Sequence, residues 1–199
     1  PIFGGVSDFS EGYAWVIAKE DPASLFSNGE LALINTRGEV VYRTGISWSG
    51  GNFKGSYLSK VSDVVDGRFY VRSDDYYHYY DVNTFKKIGM ADYGTPFYKG
   101  YAFIEPLEDW GSDLCLVDTD FKLVKRLSED LMFTTDLRSM PRFTSLGVAT
   151  IHDKSINSHV IDHMGNIVLS SYFGDDLEYD GYAQFTEAGM MRVNDIRIN

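Results

Sequence analysis

The sequence predicts an all-β repeat protein built from hairpin units of about 40 residues, the size of a β-propeller blade. Three observations carry this. A glycine followed by an apolar strand recurs as Gly12-Tyr13-Ala14-Trp15-Val16, Gly67-Arg68-Phe69-Tyr70-Val71, Gly100-Tyr101-Ala102-Phe103-Ile104 and Gly147-Val148-Ala149-Thr150-Ile151, and again at Gly189. Behind each of the first four copies comes a second strand and an Asx-led turn, starting at Asn35, Asp81, Asp118 and Asp162. The composition agrees: 15% of the 199 residues are aromatic and only 5 are proline, and aromatic and β-branched side chains suit a pleated, half-buried surface.

The units run approximately 1–46, 47–89, 90–127, 128–170 and 171–199, all in a single repeat domain, 1–199. In the first, Leu31 to Asn35 and Val40 to Tyr42 flank Asn35-Thr36-Arg37-Gly38. Asx at the first position and glycine at the fourth mark a type I turn followed by a left-handed residue. Asp162-His163-Met164-Gly165 repeats that turn, whereas Thr84 and Phe121 replace the glycine in the second and third units, so those turns are expected to differ. Residues 18–30 form the longest internal loop, and the Gly-rich stretch 45–56 reads as an exposed loop bearing Trp48. Alternation along residues 74–80 puts Tyr76, His78 and Tyr80 on one strand face, with Tyr77 and Tyr79 on the other. Residues 105–113 are an acidic loop around Trp110, and 127–132 is the one place where a helical turn fits naturally. The acidic residues of 171–181 have the wrong spacing for an EF-hand loop. Four full units and a partial fifth give a small propeller of four to five blades. The alternative is an open curved stack of β-hairpins, with sheet edges exposed at both ends.

The pattern aromatic-x-Glu-Gly-x-Ala-x-Val, then hydrophobic-Ile-Asp/Asn-x-x-Gly-x-Val-Val, resembles the WG-repeat family of bacterial proteins. It is full in the first copy, good in the third and fourth, degraded in the second and cut short in the fifth. The Trp-Gly pair that names the family is replaced by Leu31-Ala32, Tyr77-His78, Leu114-Cys115 and Ser158-His159, and Trp110-Gly111 lies in the loop before. The resemblance implies a bacterial β-repeat module.

Charge narrows the partners. With 18 basic residues scattered among 29 acidic ones, the net charge of −11 leaves no surface that tracks phosphates, so nucleic acid is not expected. No run of apolar residues is long enough for a membrane span. The single Cys115 excludes an internal disulfide and reads as a small core residue. No signal peptide is visible. The repeat architecture and the family resemblance imply a module of an extracellular or cell-envelope protein, expected to be monomeric, with the cytoplasm left open.

No phosphate-cradling glycine loop, paired CxxC, HExxH or GxSxG pattern appears, so no catalytic residue, metal ligand or cofactor is assigned. The expected function is a non-catalytic binding or scaffold module acting on a protein. The alternative is a carbohydrate-binding, lectin-like or glycoside-hydrolysing propeller, for which the tyrosines and carboxylates speak. Aromatic residues on loops are frequent binding anchors, which selects Trp48 and Trp110, with Tyr76 and Tyr77 as further candidates for protein or glycan. Trp15, inside a repeat strand, is expected to be structural. The repeat register places Ala14, Val16, Ala102, Ile104, Ala149 and Ile151 inward, together with Leu33, Leu116 and Val160. Ala102→Leu should therefore overpack the core and cost about 1–3 kcal/mol in a urea melt; an unchanged midpoint would put that face outside.

Overall fold

The computed structural model describes residues 3–19, 29–48, 60–107, 114–127, 130–132, 143, 147–153, 157–171, 184–185 and 191–192. These residues are strands, turns and loops without an α-helix, and the chain divides into two compact units, Pro1–Met90 and Ala91–Asn199.

The first unit opens with an antiparallel meander of β1 (Phe3–Val6), β2 (Tyr13–Lys19), β3 (Gly29–Asn35) and β4 (Val40–Trp48). Its second sheet is β5 (Arg68–Ser73), β6 (Tyr76–Asp81) and β7 (Lys87–Ala91). Among the described residues, the segment leading into this sheet pairs with β5 through an isolated bridge between Val61 and Val71. In the second unit, β8 (Tyr93–Gly94), β9 (Tyr101–Glu105), β10 (Cys115–Asp118) and β11 (Leu123–Arg126) form one four-stranded sheet. Another is built from β12 (Leu131–Met132), β13 (Val148–Asp153), β14 (Ser158–Asp162) and β15 (Ile167–Ser171), and the short pair β16 (Gln184–Phe185) and β17 (Met191–Arg192) follows. A four-stranded antiparallel meander is the architecture of a propeller blade.

Two expectations about where strands lie change. The stretch expected to favour a helical turn contains β12, because Leu131 and Met132 pair with Asp153 and His152, and Leu127 and Leu131 are buried core residues. The start of the supposed loop 45–56 is strand, because Ser47 and Trp48 pair with Glu30 and Gly29. Gly29 has no alternative there: a Cβ would sit 2.4 Å from Ile17 Cγ2 and 2.8 Å from the Ala18 carbonyl oxygen.

The turns before β2, β5 and β9 are two-residue hairpins with both central residues left-handed. They are Glu11-Gly12 (φ 48° and 85°), Asp66-Gly67 (53° and 69°) and Lys99-Gly100 (48° and 88°). This is the type I′ geometry, whose twist matches the flanking strands. The Asx turns prove more uniform than the sequence suggests. Asn35, Asp118 and Asp162 each gather the backbone N–H groups two and four residues ahead on Oδ1. Phe121 takes the same left-handed place (φ 61°) as Gly38 (75°) and Gly165 (74°). The turn at Asp118 thus does not differ, because the Asx side chain fixes it and Phe121 absorbs a left-handed cost of about 1–2 kcal/mol. Only the turn at Asp81 differs, running one residue longer to Phe85 (φ 53°). Burial pushes the Asp81 and Asp162 carboxyls up, but hydrogen bonds outweigh it and hold both below the ordinary value. Thr84 leads these bonds at Asp81, with Arg68 alongside, and Asn166 leads them at Asp162.

β2 and β3 are buried on both faces. Trp15, Ile17, Leu31 and Leu33 pack on Val61, Val64, Phe69, Val71 and Val82 of the next sheet, while Ala14, Val16, Ala18, Ala32 and Ile34 form a second cluster with Phe3. The second unit repeats this order, with Phe103, Leu114 and Leu116 against Ala149, Ile151 and Ile161. In both units the face bearing the large aromatic meets the small-residue or Phe face of the following sheet. All nine residues expected inward are buried, as is Trp15 at 1% exposure.

Polar bonds close the same joints. Glu11 accepts the N–H groups of Asp66 and Gly67 on its two carboxylate oxygens, each at 2.8 Å. The Trp15 indole N–H donates to the Ser62 carbonyl at 2.7 Å. Ser7, Ser62 and Thr95 stand five residues before Gly12, Gly67 and Gly100. Their hydroxyls accept the N–H groups of Trp15, Tyr70 and Phe103 at 2.9, 2.9 and 3.0 Å. Ser62→Ala leaves the buried Tyr70 N–H without that acceptor and should destabilise by about 1–3 kcal/mol. A urea midpoint equal to wild type would show that this hydroxyl is dispensable.

Candidate functional site

The tyrosine strand β6 divides as alternation requires. Tyr77 and Tyr79 have no accessible surface, and both rings stand edge-on to Tyr70 at 5.0 and 5.7 Å. Burial, with Tyr70 and Tyr77 nearby, pushes the Tyr79 hydroxyl well above its ordinary pKa. Arg72 lies over the Tyr77 ring at 5.6 Å. Tyr77 is therefore a packing residue and offers no surface to a ligand. Tyr76 on the opposite face is 38% exposed and follows the exposed turn residues Asp74 and Asp75.

Trp48 sits at the end of β4, half-buried against the core cluster around Trp15, with Gly29 as its cross-strand partner. Its ring lies on the sheet instead of extending from a loop. Trp110 lies outside the described residues, as do most of 105–113 and most of the acidic stretch 171–181. The four residues selected from sequence therefore do not form one site: Trp48 and Tyr76 are on different sheets, and Tyr77 is enclosed.

The second unit holds two groupings that sequence spacing did not reveal. His159 on β14 is buried, with Nδ1 2.9 Å from the Ser170 hydroxyl on β15 and Nε2 3.3 Å from Asp153 Oδ2 on β13. Asp153 also accepts Asn157 N and Nδ2. A serine, an imidazole and a carboxylate in line have the order of a nucleophilic relay. Here, however, His159 and Ser170 are a cross-strand pair in the sheet, so the network ties the end of β13 and the start of β14 to the outer strand. His163, in the turn, lies 6.2 Å from both Tyr98 and Tyr101, away from His159 as their places on turn and strand require.

The other grouping is apolar and exposed. Ile167, Val168 and Leu169 on β15 are 49%, 55% and 44% exposed, and Leu123 and Val124 on β11 are 42% and 50% exposed. Both strands are outermost in their sheets. Lys125 on β11 reaches the head of β15, its Nζ donating to the Gly165 carbonyl at 3.1 Å. The signal was present in Asn166-Ile167-Val168-Leu169-Ser170-Ser171, an apolar run without charge, but only its place at the sheet edge separates it from core.

Among the described residues no helix is long and apolar enough to cross a membrane, and no group of His, Cys, Asp or Glu is arranged to hold a metal ion. The burial of the tryptophans has a direct readout. On variants keeping one tryptophan each, acrylamide should quench Trp48 more strongly than Trp15, whose indole is enclosed and hydrogen-bonded. Equal shielding would place Trp48 wholly in the core and remove it as a contact.

The sequence matches no protein-family model and no curated protein. Among solved structures the chain is similar to BamB from Moraxella catarrhalis, with 11% identity and a TM-score of 0.44 over 86% of this chain and 50% of that one. It is similar to the WD40 β-propeller domain of Doa1, with 9% identity and a TM-score of 0.45 over 94% of this chain and 58% of that one. The C-terminal WD40 domain of Sif2 gives 10% identity and a TM-score of 0.46 over 89% and 50%. The chain thus spans between 50% and 58% of the length of these proteins.

Proposed function

We propose that this chain is a non-catalytic scaffold module that docks protein partners, built on repeats of the WG type and belonging to a bacterial surface or envelope protein. The observation that carries the reading is the exposed apolar residues on the outer strands of the second unit, Leu123 and Val124 on β11 and Ile167 to Leu169 on β15. Adjacent exposed apolar residues of this kind mark interaction surfaces more often than single ones do. The repeat motifs support the family part of the proposal, since the Glu and Gly of the leading motif have defined places in the joints and turns; the envelope part follows from the family resemblance alone.

A second reading, binding of a glycan, rests on Tyr76 beside the exposed carboxylates of Asp74 and Asp75. Sugar rings stack on such aromatics while carboxylates accept from their hydroxyls. A glycan array and an envelope-protein overlay distinguish the two. The scaffold reading expects glycan signal at background and retention of a protein band, reduced at least tenfold in the double variant Val124→Asp/Val168→Asp. Glycan retention that Tyr76→Ala abolishes would replace it with the carbohydrate reading.

A further inference from the structure

An outermost β-strand presents unpaired backbone groups, and proteins usually guard such edges with charge, proline, glycine or bulges. The last strands of the four larger described sheets can be compared position by position. β4 carries Arg43 and the left-handed Gly45, β7 carries Lys87 and Gly89, and β11 carries Lys125 and Arg126. β15 reads Ile-Val-Leu-Ser-Ser, with no charge, glycine or proline. A bulge at Val168 interrupts its pairing with β14, but β4 and β11 have the same bulge at Val41 and Val124, so it is a property of the repeat and no special guard. Beyond the bulge, Leu169, Ser170 and Ser171 keep regular register with Val160, His159 and Ser158. Among the described residues no strand pairs with the outer side of β15.

Charge gives the occupant its character. In a chain of net charge −11, the neighbouring segment Lys122-Leu123-Val124-Lys125-Arg126 holds three exposed cations, of which Lys122 is paired with Asp120 at 2.9 Å. Lys125 is held at the head of β15 by the Gly165 carbonyl, with Asn166 Oδ1 at 3.5 Å. A strand added antiparallel, as in every strand pair described, would run its C-terminal end past Ile167 towards that ammonium.

We propose that the outer edge of β15 takes an extended apolar segment of a partner protein by strand addition, the carboxylates at that segment's C-terminal end meeting Lys125. Main-chain hydrogen bonds to the edge supply affinity, Ile167 and Leu169 supply apolar contact, and the lysine sets direction. This deepens the scaffold reading and rests on it.

The test uses the whole chain and a fluorescein-labelled peptide of alternating threonine and valine ending in two glutamates. Three comparison probes are the same peptide ending in two lysines, its scrambled form, and a copy N-methylated on each threonine and valine amide. Binding is read by anisotropy, and its place by hydrogen–deuterium exchange. The acidic peptide should bind at least tenfold tighter than the lysine-ended and N-methylated forms, and should slow exchange across Ile167–Ser171. Lys125→Glu should remove the preference for the acidic end. Equal binding of the N-methylated peptide would overturn strand addition, and equal binding of the two endings would overturn the role of Lys125. Concentration-dependent dimerisation that protects Ile167–Ser171 without peptide would make a second copy the occupant and overturn the partner assignment. Failure of every peptide to bind at millimolar concentration overturns this edge as a site. The scaffold reading itself then stands or falls on the protein overlay.

Discussion

The Trp15 indole N–H, closed at 2.7 Å on the Ser62 carbonyl, joins the first repeat to the second at the centre of their shared core. Around it the large aromatic face of one sheet packs on Phe69 and Val71 of the next, and the Glu11 carboxylate clasps the amides of the next turn. A strand such as β2, apolar on both faces, has no stable existence as a lone hairpin, because either face left in water forfeits about 25 cal/mol for each Å² of apolar surface. Each repeat is thus stable only through a neighbour. This is the general condition of repeat proteins, in which intrinsic unit stability and nearest-neighbour interfaces add.

That dependence explains where the strain is placed. Among the described residues the backbone carries left-handed residues other than glycine at Glu11, Asp66, Asp74, Asp75, Phe85, Lys99 and Phe121, all in turns. Each costs something locally and is held by the ladder on either side, so the turn chemistry can degrade from copy to copy without loss of the sheet. The Asx side chain, gathering backbone N–H groups on one oxygen, does more to fix the turn than the glycine that follows it. The buried hydroxyls of Ser7, Ser62 and Thr95 work similarly, supplying an acceptor where the short leading strand cannot complete its ladder.

The same economy separates frame from surface. Polar groups inside the sheets, including the His159 network, are consumed in holding strands together. What faces outward in the second unit is instead apolar and lies at a strand edge, beside cations in an otherwise acidic chain. Such an edge recognises backbone first and side chains second, which suits a module whose repeats vary while the frame persists.

The strand-turn repeat, the inward register and the buried place of Trp15 are legible in the residues alone. These follow from local chemistry, namely alternation with period two and left-handed turn residues at fixed offsets. The sequence did not show β1, β8 or β12, which are two to four residues long and form only because a partner strand completes their ladder. Tertiary packing also decided that Tyr77 is enclosed while Tyr76 is exposed, and that Trp48 lies on the sheet opposite Gly29. Tyrosine and tryptophan serve core and surface equally well in composition. Only the three-dimensional neighbours settle which ring is in water, and the place of β15 at the edge of its described sheet belongs to the same class of facts. A short apolar run reads alike in a central strand and an outer one, because the difference lies in what is absent from its far side.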